Sequence, residues 1–89
     1  MIEEFVWGSA FRRAFKSRVA GRPGEILFWE KLEVFRRDPF SAQLTTHRLS
    51  GKLEPYWAFS VAYDCRVVFR FLADDCVLLA NIGTHDEVY

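Results

Sequence analysis

The segment WAFSVAYDCRVVFRFLADDCVLLANIGTHDEVY, residues 57–89, decides the fold. The strand that opens it, running from Tyr56 just ahead of the segment to Ala62, alternates. Trp57, Phe59 and Val61 share one face and Ala58, Ser60 and Ala62 the other, the period of two that a half-buried strand requires. Tyr63-Asp64 turns it into a second run, Cys65 to Leu72, and Asp74-Asp75 turns that into a third, Cys76 to Ile82. Three strands joined by two-residue turns predict an antiparallel meander. With the turns so placed, Arg66 lies opposite Val61 on one side and Gly83 on the other, and Asp64 lies opposite His85 on the same face as Arg66. Everything rests on register, because a slip of one residue turns each side chain to the opposite face.

Ahead of the meander, Ile2 to Trp7 reads as a short first strand. Phe11, Phe15 and Val19 then recur every four residues behind Ser9, a candidate N-cap, which predicts an amphipathic helix with Arg12, Arg13 and Lys16 toward water. Ala20 to Gly24 breaks it. A second helix is predicted from Pro23 or Gly24 to Arg37, with Ile26, Leu27, Phe28, Trp29, Leu32, Val34 and Phe35 as a wide apolar face, and Asp38-Pro39 stops it. Between Phe40 and Leu53 the pattern is irregular, with Leu44, Leu49 and Leu53 tethering a loop that leaves His47, Arg48 and Lys52 free. The architecture expected is one α+β domain over residues 1–89: a short N-terminal strand, a helical hairpin, and a three-stranded antiparallel meander forming one sheet.

A chain of 89 residues, 51% hydrophobic and 17% aromatic, has room for one real core. No apolar run approaches the roughly 20 residues of a membrane span, and Met1-Ile2-Glu3-Glu4 lacks the basic start of a signal peptide, so a soluble, cytoplasmic protein is expected. Cys65 and Cys76 fall about eight residues apart along one ladder, on the order of 25 Å, too far for a disulfide. The zero net charge conceals an asymmetry. Residues 1–53 hold ten Lys or Arg against six Asp or Glu, and residues 54–89 hold two against six. A basic half could face a phosphate backbone while the acidic half faces elsewhere, although a solvated basic helix face explains the same numbers.

The two histidines, His47 and His85, stand outside the apolar patterns, and histidine exchanges protons near neutrality, its ordinary pKa being about 6.5. Arg66 offers a fork for a phosphate whose charge grows in a transition state, and Tyr89 offers a ring on which an unpaired base can stack. These are parts of a metal-free ribonuclease. Each also has a structural reading: His85 pinning the C-terminus through Asp64 or Asp86, Arg66 paired with Asp64 or Glu87, His47 with Arg48 and Lys52 as a solvated loop, Tyr89 as a core cap. Zinc is not expected, because two histidines and two separated cysteines show no ligand spacing.

Trp7 and Phe11, the helix end Phe35 to Pro39, the loop His47-Arg48-Leu49-Ser50-Gly51, Trp57, the run Asp64 to Phe69 and above all Ile82-Gly83-Thr84-His85-Asp86-Glu87-Val88-Tyr89 resemble the RelE/ParE-type toxins of bacterial type II toxin–antitoxin systems. The likeness spans nearly the whole chain and is strongest to the branch related to the YafQ and RelE messenger-RNA interferases. It implies a ribosome-dependent endoribonuclease without metal or cofactor, and a cognate antitoxin that wraps and blocks it. By residue it implies His47 and His85 for proton transfer, Arg66 on the scissile phosphate, Asp64 orienting His85, Tyr89 placing a base, and Arg48 with Lys52 holding backbone. Phe28, Trp29 and Phe40 are candidates for an exposed antitoxin groove. Ser60 is a departure, standing where YafQ-like members carry a further histidine. A ParE-like gyrase inhibitor or an inactive antitoxin-binding relative is the alternative.

Overall fold

The computed structural model describes residues Met1–Tyr89. The chain runs β1 (Glu4–Trp7), α1 (Ser9–Arg18), α2 (Gly24–Arg37), β2 (His47–Arg48), β3 (Trp57–Ala62), β4 (Cys65–Ala73), β5 (Cys76–Gly83) and α3 (His85–Val88), with single 3₁₀ turns at Ala42–Leu44 and Gly51–Leu53. The predicted meander is present, with both predicted turns. It forms the middle of a five-stranded sheet ordered β1-β5-β4-β3-β2. β1 joins parallel to β5, Glu4 opposite Cys76 and Trp7 opposite Leu79, and β2 adds two residues antiparallel to β3. Neither addition has a local signal, since a two-residue strand has no period and the partner of β1 lies some seventy residues along the chain.

The helical hairpin covers one face of this sheet, α1 against β5 and α2 against β3. Phe28, Leu32 and Phe35, at i, i+4 and i+7, are the buried stripe of α2. That stripe is narrower than the sequence suggested: Ile26 is 70% exposed and Trp29 46%. Phe28 is fully buried and is therefore excluded from any exposed groove, whereas Phe40 and Trp29 both reach solvent. Phe35 anchors the layer. Its ring stacks on Phe59 at 4.8 Å, meets Phe69 edge-on at 4.8 Å, and approaches Phe5 at 5.9 Å.

Gly8, not Ser9, is the N-cap of α1 and makes no side-chain cap. Its N–H continues the β1–β5 ladder to the Leu79 carbonyl at 3.0 Å, and a Cβ there would meet that same oxygen at 3.0 Å. Close backbone approach selects glycine at this junction.

Register is where the structure corrects the sequence reading. Arg66 does lie opposite Gly83, but the two strands reach that pairing through two irregularities that cancel, with Ala80 extra on β5 and Leu72 extra on β4. On the other side Arg66 faces Ser60, not Val61, because Val61 is an extra residue between the Ser60–Arg66 and Ala62–Cys65 pairs. The reason is burial. Val61 is 2% exposed within the helix-side core, and a guanidinium paired with it would be buried without a partner.

Truncating Phe35 to alanine removes the ring that joins helix layer and sheet, and is expected to destabilise the fold by about 3–5 kcal/mol, read as a lowered urea midpoint at unchanged m-value.

Candidate active site on the outer sheet face

Along β4, Val67, Phe69 and Phe71 point into or against the aromatic core, so Arg66, Val68 and Arg70 point to the other face. Cross-strand pairing adds Ala58 and Ser60 of β3, His47 of β2, and Asn81 and Gly83 of β5 to that outer face. α3 lies against β4 and β5. Its Val88 is buried, as are Ala58 and Val68, although none of the three belongs to the helix-side core.

The tail was expected as a polar extension that sets Asp64 opposite His85. It is instead a one-turn helix. Thr84 accepts from the Glu87 N–H at 3.3 Å, and the Glu87 carboxylate accepts from the Thr84 N–H at 2.7 Å, a reciprocal capping box. Arg18 of α1 ties this turn down, donating through Nη1 to the Ile82 carbonyl at 2.8 Å and pairing through Nε with Glu87 at 3.5 Å. Gly83 makes room for it: a Cβ there would lie 2.7 Å from Arg18 Nη1, 2.7 Å from Glu87 Oε1 and 3.0 Å from Glu87 Cβ. The Thr84 N–H, and after it the Arg18 charge, hold the Glu87 carboxyl below its ordinary value. The sequence offered Glu87 as a partner for Arg66; the structure pairs it with Arg18 instead, and the Thr84-x-x-Glu87 spacing is itself a capping signal.

On this turn sits exposed His85, its ring edge-on to Tyr89 at a centroid distance of 4.5 Å. Burial raises the Tyr89 phenol, with Arg66 pulling the other way, so the phenol remains a hydrogen-bond donor at neutral pH. Tyr63, Asp64, Arg66, Thr84, His85 and Asp86 line an open depression of about 310 Å³. Asp64 therefore joins the cluster but does not orient His85. The carboxylate near the imidazole is Asp86, with 3.4 Å between Nδ1 and Oδ1. Arg66 makes one side-chain hydrogen bond, to the Tyr63 carbonyl at 3.4 Å.

His47 reaches the same face from the edge strand opposite Ala58, its Nδ1 3.0 Å from the Thr45 carbonyl oxygen. β2 lies two strands from β4, about 10 Å away. Between them, Thr45 Oγ1 and Ser60 Oγ lie 2.9 Å apart beside a second depression that Lys31, Gln43 and Arg66 also line. Arg66 thus borders both hollows. Arg48 does not: paired with Trp57, it turns to the opposite face and lies 5.4 Å from the centre of that ring. Lys52 is exposed on the turn before β3, at the Trp57 end, a strand length of roughly 17 Å from the Ala62 end where Asp64 and His85 sit.

Behind the tail is a cleft of about 410 Å³ among Arg18, Arg22, Asp64, Cys65, Gly83 and Glu87. Burial, with Asp64 and Glu87 nearby, pushes the Cys65 thiol up to about 11, which keeps it protonated at neutral pH. No three His, Cys, Asp or Glu side chains converge as metal ligands.

Two consequences follow from the tether. Gly83→Ala displaces α3 at a cost of about 1–3 kcal/mol, seen as faster amide exchange of residues 84–89 with β4 still protected. The depressed Glu87 carboxyl stabilises the tail fully above its ordinary value of 4.5, and that stabilisation is lost as pH falls through the lower folded value. His85 and Tyr89 NMR signals are therefore expected to lose their structured shifts in that acid window before the core does. Glu87→Gln, which keeps a capping acceptor without the charge, removes the transition.

No protein-family model matches the sequence, and no curated protein matches it significantly. Solved structures match throughout. A copper-bound mutant toxin of Helicobacter pylori superposes with a TM-score of 0.73 at 24% identity, covering 100% of both chains. A YoeB/ParE toxin of Agrobacterium tumefaciens gives 0.75 at 17% identity over 93% of this chain and 99% of its own. YafQ of E. coli gives 0.73 at 15% identity over 100% and 99%, and it matches again in its toxin–antitoxin complex with DinJ, at 0.71 and 16% over 100% and 99%. The fold of this chain is the RelE/ParE-like fold of these toxins.

Proposed function

We propose that the protein is a type II toxin that cleaves messenger RNA on the ribosome, using its outer sheet face and no metal, and that a cognate antitoxin silences it. The observation that carries this reading is the gathering of Asp64, Arg66 and His85 on one open depression, with the Tyr89 ring against the imidazole. A scissile phosphate over Arg66 would meet a planar donor fork that no carboxylate of the chain occupies. One histidine takes the proton of the ribose 2′-hydroxyl, the hydroxyl oxygen attacks the adjacent phosphorus, and the other histidine protonates the departing 5′-oxygen. His85 and His47 flank Arg66 for these two transfers, Arg66 neutralises the charge that builds on the phosphate oxygens, and Tyr89 supplies a ring for a base. The likeness to YafQ, solved with its partner DinJ, supports an antitoxin as partner; exposed Trp29 and Phe40 offer it apolar surface.

Ser60 favours a second reading. It holds Thr45 at the position where YafQ-like members carry another histidine, so the chain would bind an antitoxin and arrest nothing, or act on a different target.

Expression from a tight promoter with mapping of mRNA 5′ ends separates the two. The nuclease reading expects growth arrest with new ends inside translated frames, a drop of about 10²–10⁴-fold in cleavage for His85→Ala, and about 10²–10³-fold for Arg66→Ala. Arrest and cleavage unchanged in a folded His85→Ala protein would remove His85 from the chemistry. No cleavage by the folded wild type leaves the antitoxin-binding reading.

A further inference from the structure

Residues 54–89 contain two cations, Arg66 and Arg70, among six acids. Neither is ion-paired, although Arg18, Arg36 and Arg37 all find carboxylates. Both point from the outer face of β4, their Cα atoms four residues and so about 13 Å apart, with Val68 as the buried floor between them. Arg70 lies opposite Leu78, its guanidinium carbon 6.0 Å from the centre of the Tyr56 ring, and its Nε is buried without a hydrogen-bond partner. A buried donor left without a partner in this way is destabilising. An acid in place of Leu78 would have relieved it. The chain instead leaves a half-buried fork resting on an aromatic ring and turned to the same face as Arg66.

We infer that Arg70 and Tyr56 form a second subsite for single-stranded RNA, in which Arg70 takes a phosphate beyond the one at Arg66 and the Tyr56 ring stacks with the base beside it. Guanidinium groups rooted about 13 Å apart along one strand suit different phosphates of one single-stranded chain, whose charges recur along its length. Ring and guanidinium together are the stacking platform and cation that single-strand binders combine. The path therefore runs along β4, from the His85 end of the sheet toward the end where Tyr56 enters β3. This inference rests on the nuclease reading of the same face and deepens it.

Binding, measured apart from cleavage, tests it. In a His85→Ala background, which keeps the RNA intact, anisotropy of a short labelled oligouridylate is followed across a salt series. Arg70→Ala is expected to weaken binding several-fold and to reduce the salt slope by about one phosphate. Tyr56→Ala is expected to weaken it about fivefold or more with the slope kept, and Arg70→Lys to retain the slope. Unchanged affinity and slope in folded Arg70→Ala and Tyr56→Ala proteins overturn the subsite, as does a parent protein that fails to bind at low salt. The nuclease reading is judged separately by cleavage with His85 intact, so a chain that cuts RNA yet ignores the loss of Arg70 refutes this inference alone.

Discussion

Strand β4 has to satisfy two faces at once, and the rest of the molecule is arranged around that constraint. Its odd positions bring Val67, Phe69 and Phe71 to the aromatic layer under the helices, and its even positions bring Arg66, Val68 and Arg70 to the outside. A side-chain period of two allows this only if register holds to the residue. The extra residue Val61 on β3 secures it by letting the valine stay in the core while Arg66 pairs with Ser60. The cancelling irregularities on β4 and β5 then return Gly83 to the position opposite Arg66. Core packing and site geometry are therefore one problem, since a change that moves Phe69 also moves Arg66.

The second requirement is a fixed chain end. A one-turn helix has almost no stability of its own, because nucleation costs more than one turn of hydrogen bonds returns. α3 persists through its context. The capping box satisfies its first donors, Arg18 of α1 pairs with its Glu87 and bonds the Ile82 carbonyl just before it, and Val88 is buried against the sheet. His85 inherits its position from these contacts rather than from its own weak approach to Asp86. Arg18 and Glu87 are for that reason positioning residues, and Gly83 is the space that lets them close.

Much of this was legible in the sequence, and the misses have physical causes. Alternation in residues 56–82 set out the meander and its turns, and the four-residue spacing of Phe11, Phe15 and Val19 set out α1. The width of the α2 face was overestimated because apolar type was read without angle: Ile26 and Trp29 fall off the Phe28–Leu32–Phe35 stripe. Parallel pairing of β1 with β5 and the two-residue β2 depend on partners far along the chain, which no local pattern records. Asp64, Arg66 and His85 do meet, but through a helix at residues 85–88 and a bulge at Val61, neither of which entered the register argument. Arg48 was misplaced because adjacent residues of a strand face opposite ways: once His47 points outward, Arg48 cannot.

Charge placement ties the fold to its chemistry. The net charge is zero, yet the field at any one face is local. Acids of the second half are spent where they organise the chain: Glu87 in the cap, Asp86 at the first turn of α3, Asp64 at the turn before Arg66, Asp74 and Asp75 at the hairpin. None forms an ion pair with Arg66 or Arg70. Two unpaired guanidinium groups on an otherwise acidic half form a narrow cationic line rather than a broad basic surface, an arrangement that limits non-specific attraction to nucleic acid. Selectivity on such a surface would come from shape and stacking more than from total charge.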